Sequence, residues 1–161
     1  MCEYCGCQEI ATIGELTREH DAVVAQIAIV RRSVSESDLD AAARSAARIA
    51  EILRPHTSVE EHGLFPTMKQ DFPDHVQALE DEHHVVEAVL AESADAVPTD
   101  PTWPGRLLAT LDLLREHILK EQNGLFPAAL TTLDAADWVR IEQVRASVGS
   151  LVGPEPQHLI H

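Results

Sequence analysis

Hydrophobic positions recur at intervals of three and four residues along most of the chain. In the segment from Ile13 to Arg31 they form one stripe, and His20 lies on that stripe among leucine, valine and isoleucine residues. This spacing is typical of an amphipathic helix with one buried face. Similar patterns occur four more times, and the segment 95–105 between two of them is rich in proline and aspartate and has no period. The predicted helices cover residues 13–34, 39–69, 73–94, 104–121 and 133–151.

Strand-like alternation is nearly absent from the sequence, so the predicted fold class is all-α. Four long helices joined by short links favour an antiparallel four-helix bundle, and an additional short C-terminal helix is expected to flank it. The segment SESD, which ends at Asp38, offers an N-cap for the second helix, and Pro73 suits the first turn of the third. Pro55 is expected to kink or divide the second helix.

Length and charge narrow the possible functions. The chain has 161 residues, which suits one domain, and a formal net charge of −15, which repels nucleic acid and anionic membranes and attracts small cations. Neither a secretory signal nor a run of about 20 apolar residues is present, so we expect no membrane span and a cytoplasmic location. We expect a cysteine-rich segment at residues 1–11, the helical bundle at 12–152 and a flexible tail at 153–161.

The chain contains two copies of one motif. His56 opens the segment HTSVEEHGLFP and His117 opens HILKEQNGLFP, and in each copy a glutamate follows four residues after the histidine. A further histidine lies on the preceding helix of each half, His20 in EHDAVV and His83 in EHHVVE. The sequence GLFP is expected to end the helix in both copies. Each half is therefore predicted to form a helical hairpin, and two hairpins related by a pseudo-twofold axis would bring these side chains together.

The spacing within each motif suits metal binding. Residues four apart on an α-helix are separated by roughly 40° of arc and about 6 Å of rise, so a histidine and a glutamate at this spacing share one face. This criterion selects Glu60 rather than Glu61 as the partner of His56. A single histidine or His-x-x-x-Glu pair is commonly a core or surface interaction, but a repeated set of six would be costly to bury without a cation. The candidate ligands are His20, His56, Glu60, His83, His117 and Glu121.

Six ligands from four helices exceed what one tetrahedral zinc ion needs. A carboxylate can bridge two ions, and imidazole suits iron, zinc, copper and nickel. We therefore predict a dinuclear centre in which Glu60 and Glu121 bridge two ions, and we expect the metal to be iron.

The order, spacing and flanking GLFP sequence of these residues resemble the hemerythrin-like, or HHE cation-binding, family. The resemblance extends from about Glu15 to Pro127. It implies an antiparallel four-helix bundle around a non-haem di-iron site, with two iron ions joined by an oxo or hydroxo bridge beside the two carboxylates. It also implies that one iron keeps a position for dioxygen, nitric oxide or peroxide, which are the expected small-molecule partners.

One position departs from the oxygen-carrying members of that family. They use His-x-x-x-His on the third helix, whereas in this chain Glu87 follows His83 by four residues. If Glu87 binds metal, the added anionic ligand favours Fe(III), and if Glu87 faces solvent, one iron has an extra open position. Both arrangements argue against a reversible oxygen carrier. We include Glu87 among the candidate ligands, and we favour His83 over His84 because EHHVV aligns with EHDAV.

Three cysteines, Cys2, Cys5 and Cys7, are crowded at the N-terminus. They can form a second metal site for zinc or another soft metal if a partner or the tail, for instance through His158 or His161, supplies a fourth ligand. They can also act as redox-active thiols, or belong to a mobile reduced terminus with no such role. The sequence leaves these three interpretations open.

Three functions fit the predicted centre. The leading prediction is a di-iron protein that binds or senses dioxygen, nitric oxide or peroxide. The second is a di-iron enzyme that decomposes hydrogen peroxide or oxidises ferrous iron. The third is a structural bundle that holds zinc. No nucleophile triad, phosphate-binding glycine loop or dinucleotide fingerprint is present in the sequence, so group transfer and nicotinamide chemistry are not supported.

Overall fold

The computed structural model describes residues 7–152, with side chains from residue 11 onward. The helices run in chain order with two π-helical turns, π1 and π2, inserted among them. Their bounds are α1 (Cys7–Ser35), α2 (Leu39–Val59), π1 (Glu60–Leu64), α3 (Phe65–Met68), α4 (Pro73–Ala91), α5 (Trp103–Lys120), π2 (Glu121–Leu125), α6 (Phe126–Thr132) and α7 (Ala135–Val148).

The predicted fold class is confirmed, since the described residues contain helices and no strand. Helix α1 packs along α2, and α4 packs along α5, which gives the two predicted hairpins. Contacts of α2 with α4 and of α1 with α5 join the hairpins into a four-helix bundle. Helix α7 is the additional C-terminal helix, and it lies against α1, α2 and π1. None of the described helices is long and apolar enough to cross a membrane.

Local sequence signals account for several helix ends. Asp38 is the N-cap of α2, because its side chain accepts a hydrogen bond from the backbone N–H of Ala41, and Pro73 begins α4 as expected. Asp134 and Asp137 form a reciprocal capping box at the start of α7. Pro55 does not divide the second helix, which continues through it to Val59. The proline removes only one backbone hydrogen bond, and the buried face of α2 on both sides of it holds the helix together.

The expectation that GLFP ends each helix is wrong. In both copies the helix widens into a π turn that begins at the motif glutamate, and it then continues as α3 or α6. The backbone N–H of Phe65 donates to the carbonyl of Glu60, and that of Phe126 donates to the carbonyl of Glu121, so each bond spans five residues rather than four. The proline after each phenylalanine has no N–H to donate, and it is placed in the first turn of the next α-helical segment, where none is needed.

The hydrophobic core consists of two clusters with a polar layer between them. One cluster includes Trp103 and the other includes Trp138, and both tryptophans are fully buried. Along α1, Leu16 belongs to one cluster and Val23 to the other, and His20 lies between them. Each large apolar side chain buried in these clusters contributes roughly 1.5–3 kcal/mol, which offsets the cost of burying the polar layer.

Part of the predicted domain organisation lies outside the described residues. This applies to Cys2 and Cys5, to His158 and His161, and to the tail at 153–161. Helix α1 begins at Cys7, inside the segment that was assigned to the cysteine-rich terminus. The prediction of a second metal site at the cysteines therefore stays a prediction.

Candidate metal centre

The polar layer brings together six of the seven side chains that the sequence suggested as ligands. None of the six is more than 6% exposed. Each comes from a different position in the two hairpins: a histidine on every long helix and a glutamate at the first residue of each π turn. They are His20, His56, Glu60, His83, His117 and Glu121.

These side chains form two groups that share both glutamates. Within each group the candidate ligand atoms lie within 4.8 Å of one another. The first group contains His20 and His56, and the second contains His83 and His117. The Nε2 atoms of His56 and His83 lie 3.2 and 3.3 Å from Glu60 Oε1. The Nε2 atoms of His20 and His117 lie 3.2 and 3.1 Å from Glu121 Oε1.

The polar atoms at the middle of this cluster have only one another as partners. Both carboxylate oxygens of Glu60, both of Glu121 and Nε2 of His20 are buried, and beyond the contacts of 3.1–3.3 Å within the cluster they make no well-aligned hydrogen bond among the described residues. An uncompensated buried charge costs several kcal/mol, and a bound cation would compensate the charge of these carboxylates. The residues therefore fit a metal site, which the two imidazoles of each group and the two shared carboxylates would hold.

Without metal, raised pKa values favour protonation of some of the candidate ligands. Burial and the charge of Glu60 raise the pKa of Glu121 well above its ordinary value. Burial alone would lower the pKa of His56, but the charge of Glu60 and hydrogen bonds to Glu19 and Glu60 outweigh it and raise the pKa to about 9. Burial and the nearby His56 lower the pKa of His20 to about 3. The centre thus holds protons at some of its candidate ligands, and metal binding would displace them.

The outer nitrogen of three histidines is hydrogen-bonded to a side chain. Nδ1 of His20 lies 3.1 Å from Gln122 Oε1, and Nδ1 of His56 lies 3.2 Å from Glu19 Oε1. Nδ1 of His83 lies 3.0 Å from Glu61 Oε1. An acceptor at Nδ1 keeps the proton on that nitrogen and leaves the Nε2 lone pair for a metal.

The fourth histidine follows the same arrangement more loosely. Nδ1 of His117 lies 3.7 Å from Glu82 Oε1, and Lys120 donates a hydrogen bond to the same carboxylate. These contacts agree with a pseudo-twofold relation between the hairpins. Glu19, which precedes His20, contacts His56 of the same hairpin, and Glu82, which precedes His83, contacts His117. The residue after each motif glutamate, Glu61 or Gln122, instead crosses to the first histidine of the other hairpin.

Helix α7 adds a partly buried cation on one side of the centre. Arg145 Nη1 donates to Glu19 Oε2 at 2.9 Å, and Nη2 donates to Glu19 Oε1. Burial alone would raise the pKa of Glu19, but hydrogen bonds from His56 and Arg145 and their charges outweigh it and lower the pKa to about 2. Ser150 Oγ donates to the same carboxylate at 2.9 Å. Glu19 is therefore ionised and fully enclosed.

Sequence reasoning missed these supporting residues. Glu19, Glu82 and Gln122 are direct neighbours of candidate ligands in the repeated frame, and that adjacency was the available signal. Glu61 was expected to face away from the centre, and its side chain indeed turns away from the metal groups but reaches His83 on α4. Arg145 has no counterpart in the repeat and carries no sequence signal of its own.

A small cavity borders the four histidines. Its volume is about 10 Å³, which is about the space of one water molecule. A larger cleft of about 470 Å³ lies between α2 and α4. Leu53, Thr57 and Glu87 line both spaces, so the cleft leads toward the inner cavity.

Glu87, the seventh candidate ligand, is not part of either ligand group. Its side chain is exposed, and it lies at the junction between the cleft and the inner cavity. His84 is exposed, whereas His83 is buried in the centre, which agrees with the favoured register. The prediction that Glu87 binds metal stays a prediction.

Fold and centre together define the class: a four-helix-bundle protein with a buried histidine and glutamate cluster suited to binding metal. The family model described as hemerythrin HHE cation binding domain matches residues 11–129, and the chain belongs to this family. This match confirms the resemblance seen in the motifs. Comparisons with curated proteins and with solved structures gave no match.

Proposed function

We propose that this protein holds a non-haem di-iron centre that binds or senses dioxygen, nitric oxide or peroxide, and that it is not a reversible oxygen carrier. The observation that carries the proposal is the buried cluster of four imidazoles and two shared carboxylates, in which five ligand-type atoms make no well-aligned hydrogen bond to the protein. Membership of the cation-binding family supports the same assignment. When bound, a pair of iron ions supplies electrons for exchange with a small oxygen or nitrogen compound.

The surrounding residues prepare the centre for iron. The hydrogen bonds from Nδ1 to Gln122, Glu19 and Glu61 orient the imidazoles with Nε2 inward. Imidazole and carboxylate ligands together suit iron, and six ligands in two groups exceed the need of a structural zinc ion. The inner cavity has about the space of one water molecule, so it favours a very small ligand.

The position of Glu87 supports sensing or turnover rather than carriage. Its carboxylate is exposed at the mouth of the inner cavity, so the ligand position beside His83 is left without the neutral fifth imidazole of the oxygen-carrying relatives. An open position and a route for water favour oxidation of ferrous iron over stable storage of dioxygen.

A di-iron enzyme that decomposes hydrogen peroxide or oxidises ferrous iron is the second candidate. The cleft between α2 and α4 favours it, because a route of about 470 Å³ lets substrate enter and product leave. Glu61 and Glu87 line that cleft, and their carboxylates can attract ferrous ions or pass protons at its surface.

The test is an iron count followed by a peroxide challenge. We expect about two iron ions per chain after anaerobic loading, and near-ultraviolet charge-transfer absorption after oxidation. A stoichiometric spectral change with peroxide is expected for a binding or sensing protein, whereas sustained oxygen release identifies the enzyme. Full restoration of the ferrous spectrum by removing dioxygen would refute the exclusion of carriage, and a colourless protein that retains zinc would refute the di-iron proposal.

A further inference from the structure

The two candidate metal positions differ in how they are enclosed. We call the position formed by His20 and His56 the covered position, and the position formed by His83 and His117 the open position. The two hairpins place equivalent glutamates, Glu19 and Glu82, next to their second histidines. These two carboxylates have different surroundings, and the difference arises from α7.

At the covered position the carboxylate of Glu19, which is hydrogen-bonded to His56, is buried. Glu19 is 1% exposed and Arg145 is 11% exposed. Arg145 also donates to the carbonyl of Gly149 at 3.0 Å and lies 3.0 Å from Glu15, so its guanidinium is held from several directions. A bidentate guanidinium and carboxylate pair in a buried place is both strong and directional.

At the open position the equivalent carboxylate is less completely covered, and its cation is exposed. Glu82 is 13% exposed, and its cation, Lys120, is 43% exposed. Its oxygen lies 3.7 Å from His117 Nδ1, compared with 3.2 Å between Glu19 and His56. Because Lys120 is a flexible, hydrated single charge, it constrains Glu82 less than Arg145 constrains Glu19.

Helix α7 covers the Glu19 side of the covered position, where it packs on α1, α2 and π1. Helix α7 is anchored by Trp138 and Ile141, both fully buried in the core. Gly63 of π1 packs so closely on α7 that an added Cβ would lie 3.3 Å from Ile141. The open position instead has Glu61, which is 26% exposed and lines the outer cleft, beside His83.

We propose that Arg145 is a positioning residue that holds His56 through Glu19, and that the covered position consequently releases its metal ion more slowly than the open position. The inference rests on the proposed function, since it requires that the centre holds two ions. It gives the C-terminal helix a role in metal retention that the repeated hairpins alone would not provide.

The test follows the release of iron from the full-length protein, loaded anaerobically with ferrous iron, to a chromogenic ferrous chelator. Wild type is expected to release its two ions in two phases of equal amplitude that differ at least about tenfold in rate. Removal of a residue that supports a metal ligand typically weakens binding about 10–100-fold. We therefore expect Arg145→Leu to accelerate the slow phase by about that factor and to leave the fast phase unchanged.

Two further variants separate positioning from general loss of structure. Glu19→Gln keeps the shape of the side chain but removes its charge, and it is expected to accelerate the slow phase without loss of helical content. Lys120→Leu is the matched control at the open position, and it is expected to leave the slow phase unchanged. Arg145→Lys keeps the charge without the bidentate geometry, and an intermediate rate is expected.

The experiment distinguishes failure of this inference from failure of the proposed function. A wild-type protein that retains no iron refutes the proposed function. Two ions released in a single phase refute the inference alone, as does equal acceleration of both phases by Arg145→Leu. If Arg145→Leu does not fold, an unchanged slow phase in Glu19→Gln overturns the inference.

Discussion

Gly63 and Gly124 occupy the same place in the two copies of the GLFP motif, and they form a matched pair for testing how α7 packs. A Cβ added at Gly63 would lie 3.3 Å from Ile141 Cγ2 and 3.4 Å from Ile141 Cα, whereas a Cβ added at Gly124 would meet nothing within 4 Å. Neither glycine has a positive φ, so alanine is compatible with both backbones. The two substitutions therefore differ only in what the new methyl group touches.

The expected effects have opposite signs. Replacing glycine with alanine inside a helix stabilises it by roughly 0.5–1 kcal/mol, and this gain applies at both sites. At Gly63 the methyl group also crowds the backbone of α7, and overpacking of this kind costs roughly 1–3 kcal/mol. Gly63→Ala should therefore be less stable than Gly124→Ala by about 1–3 kcal/mol, which corresponds to a midpoint difference of roughly 2–12 °C for a chain of this size.

Thermal and urea unfolding of the two metal-free variants, followed by circular dichroism, measures this difference. The comparison between variants cancels the unknown preference of glycine for a π turn, because both sites share that geometry. Equal stability of the two variants, or greater stability of Gly63→Ala, would contradict the close packing of α7 on π1.

Three other predictions concern the metal centre. Because both ions would share Glu60, Glu60→Gln is expected to lower the iron content of the purified protein from about two ions to less than one, as measured by mass spectrometry of the metal, whereas Glu87→Gln should keep two. Chelation of the metal should lower the unfolding midpoint measured by calorimetry, because a metal present at 100 times its Kd stabilises the folded state by about 2.7 kcal/mol. An unchanged midpoint would argue against a structural contribution of the metal. Glu87→His places an imidazole where the oxygen carriers have one. It should slow the reaction of the ferrous protein with peroxide, as measured by stopped-flow absorption. An unchanged rate would show that residue 87 does not reach the centre.

Much of the centre was predictable because it repeats. The spacing of His56 and Glu60, and of His117 and Glu121, follows from helix geometry alone, and the preceding histidines follow from the echo of EHDAVV in EHHVVE. The buried cluster brings these residues together as expected. The all-α fold was equally predictable, since apolar stripes of helical period cover most of the chain.

The remaining features depend on contacts between elements that are distant in sequence. Arg145 lies 126 residues after Glu19, and nothing in the local pattern of α7 pairs the two. The direction of the Glu61 side chain was predicted from the geometry of its own helix alone. That prediction could not show that α4, with His83, lies on the side to which Glu61 points. The π turns were missed because a proline after phenylalanine normally signals a helix end, and the extra residue that restarts the helix leaves no separate mark in the sequence.

The π turns set the angular position of the helical segments that follow them. One additional residue in a turn rotates everything beyond it by roughly 100°, so the helix before Glu60 and the helix after Leu64 are out of phase by that angle. Phe65 and Met68 are buried in the segment after the first turn, and Phe126 and Ala129 are buried after the second. The ring of Phe65 stacks on His83 with a centroid distance of 5.5 Å. Deleting a single residue between Glu60 and Leu64 would turn Phe65 away from His83, so the residues that widen the turn determine which side chains of α3 enter the core.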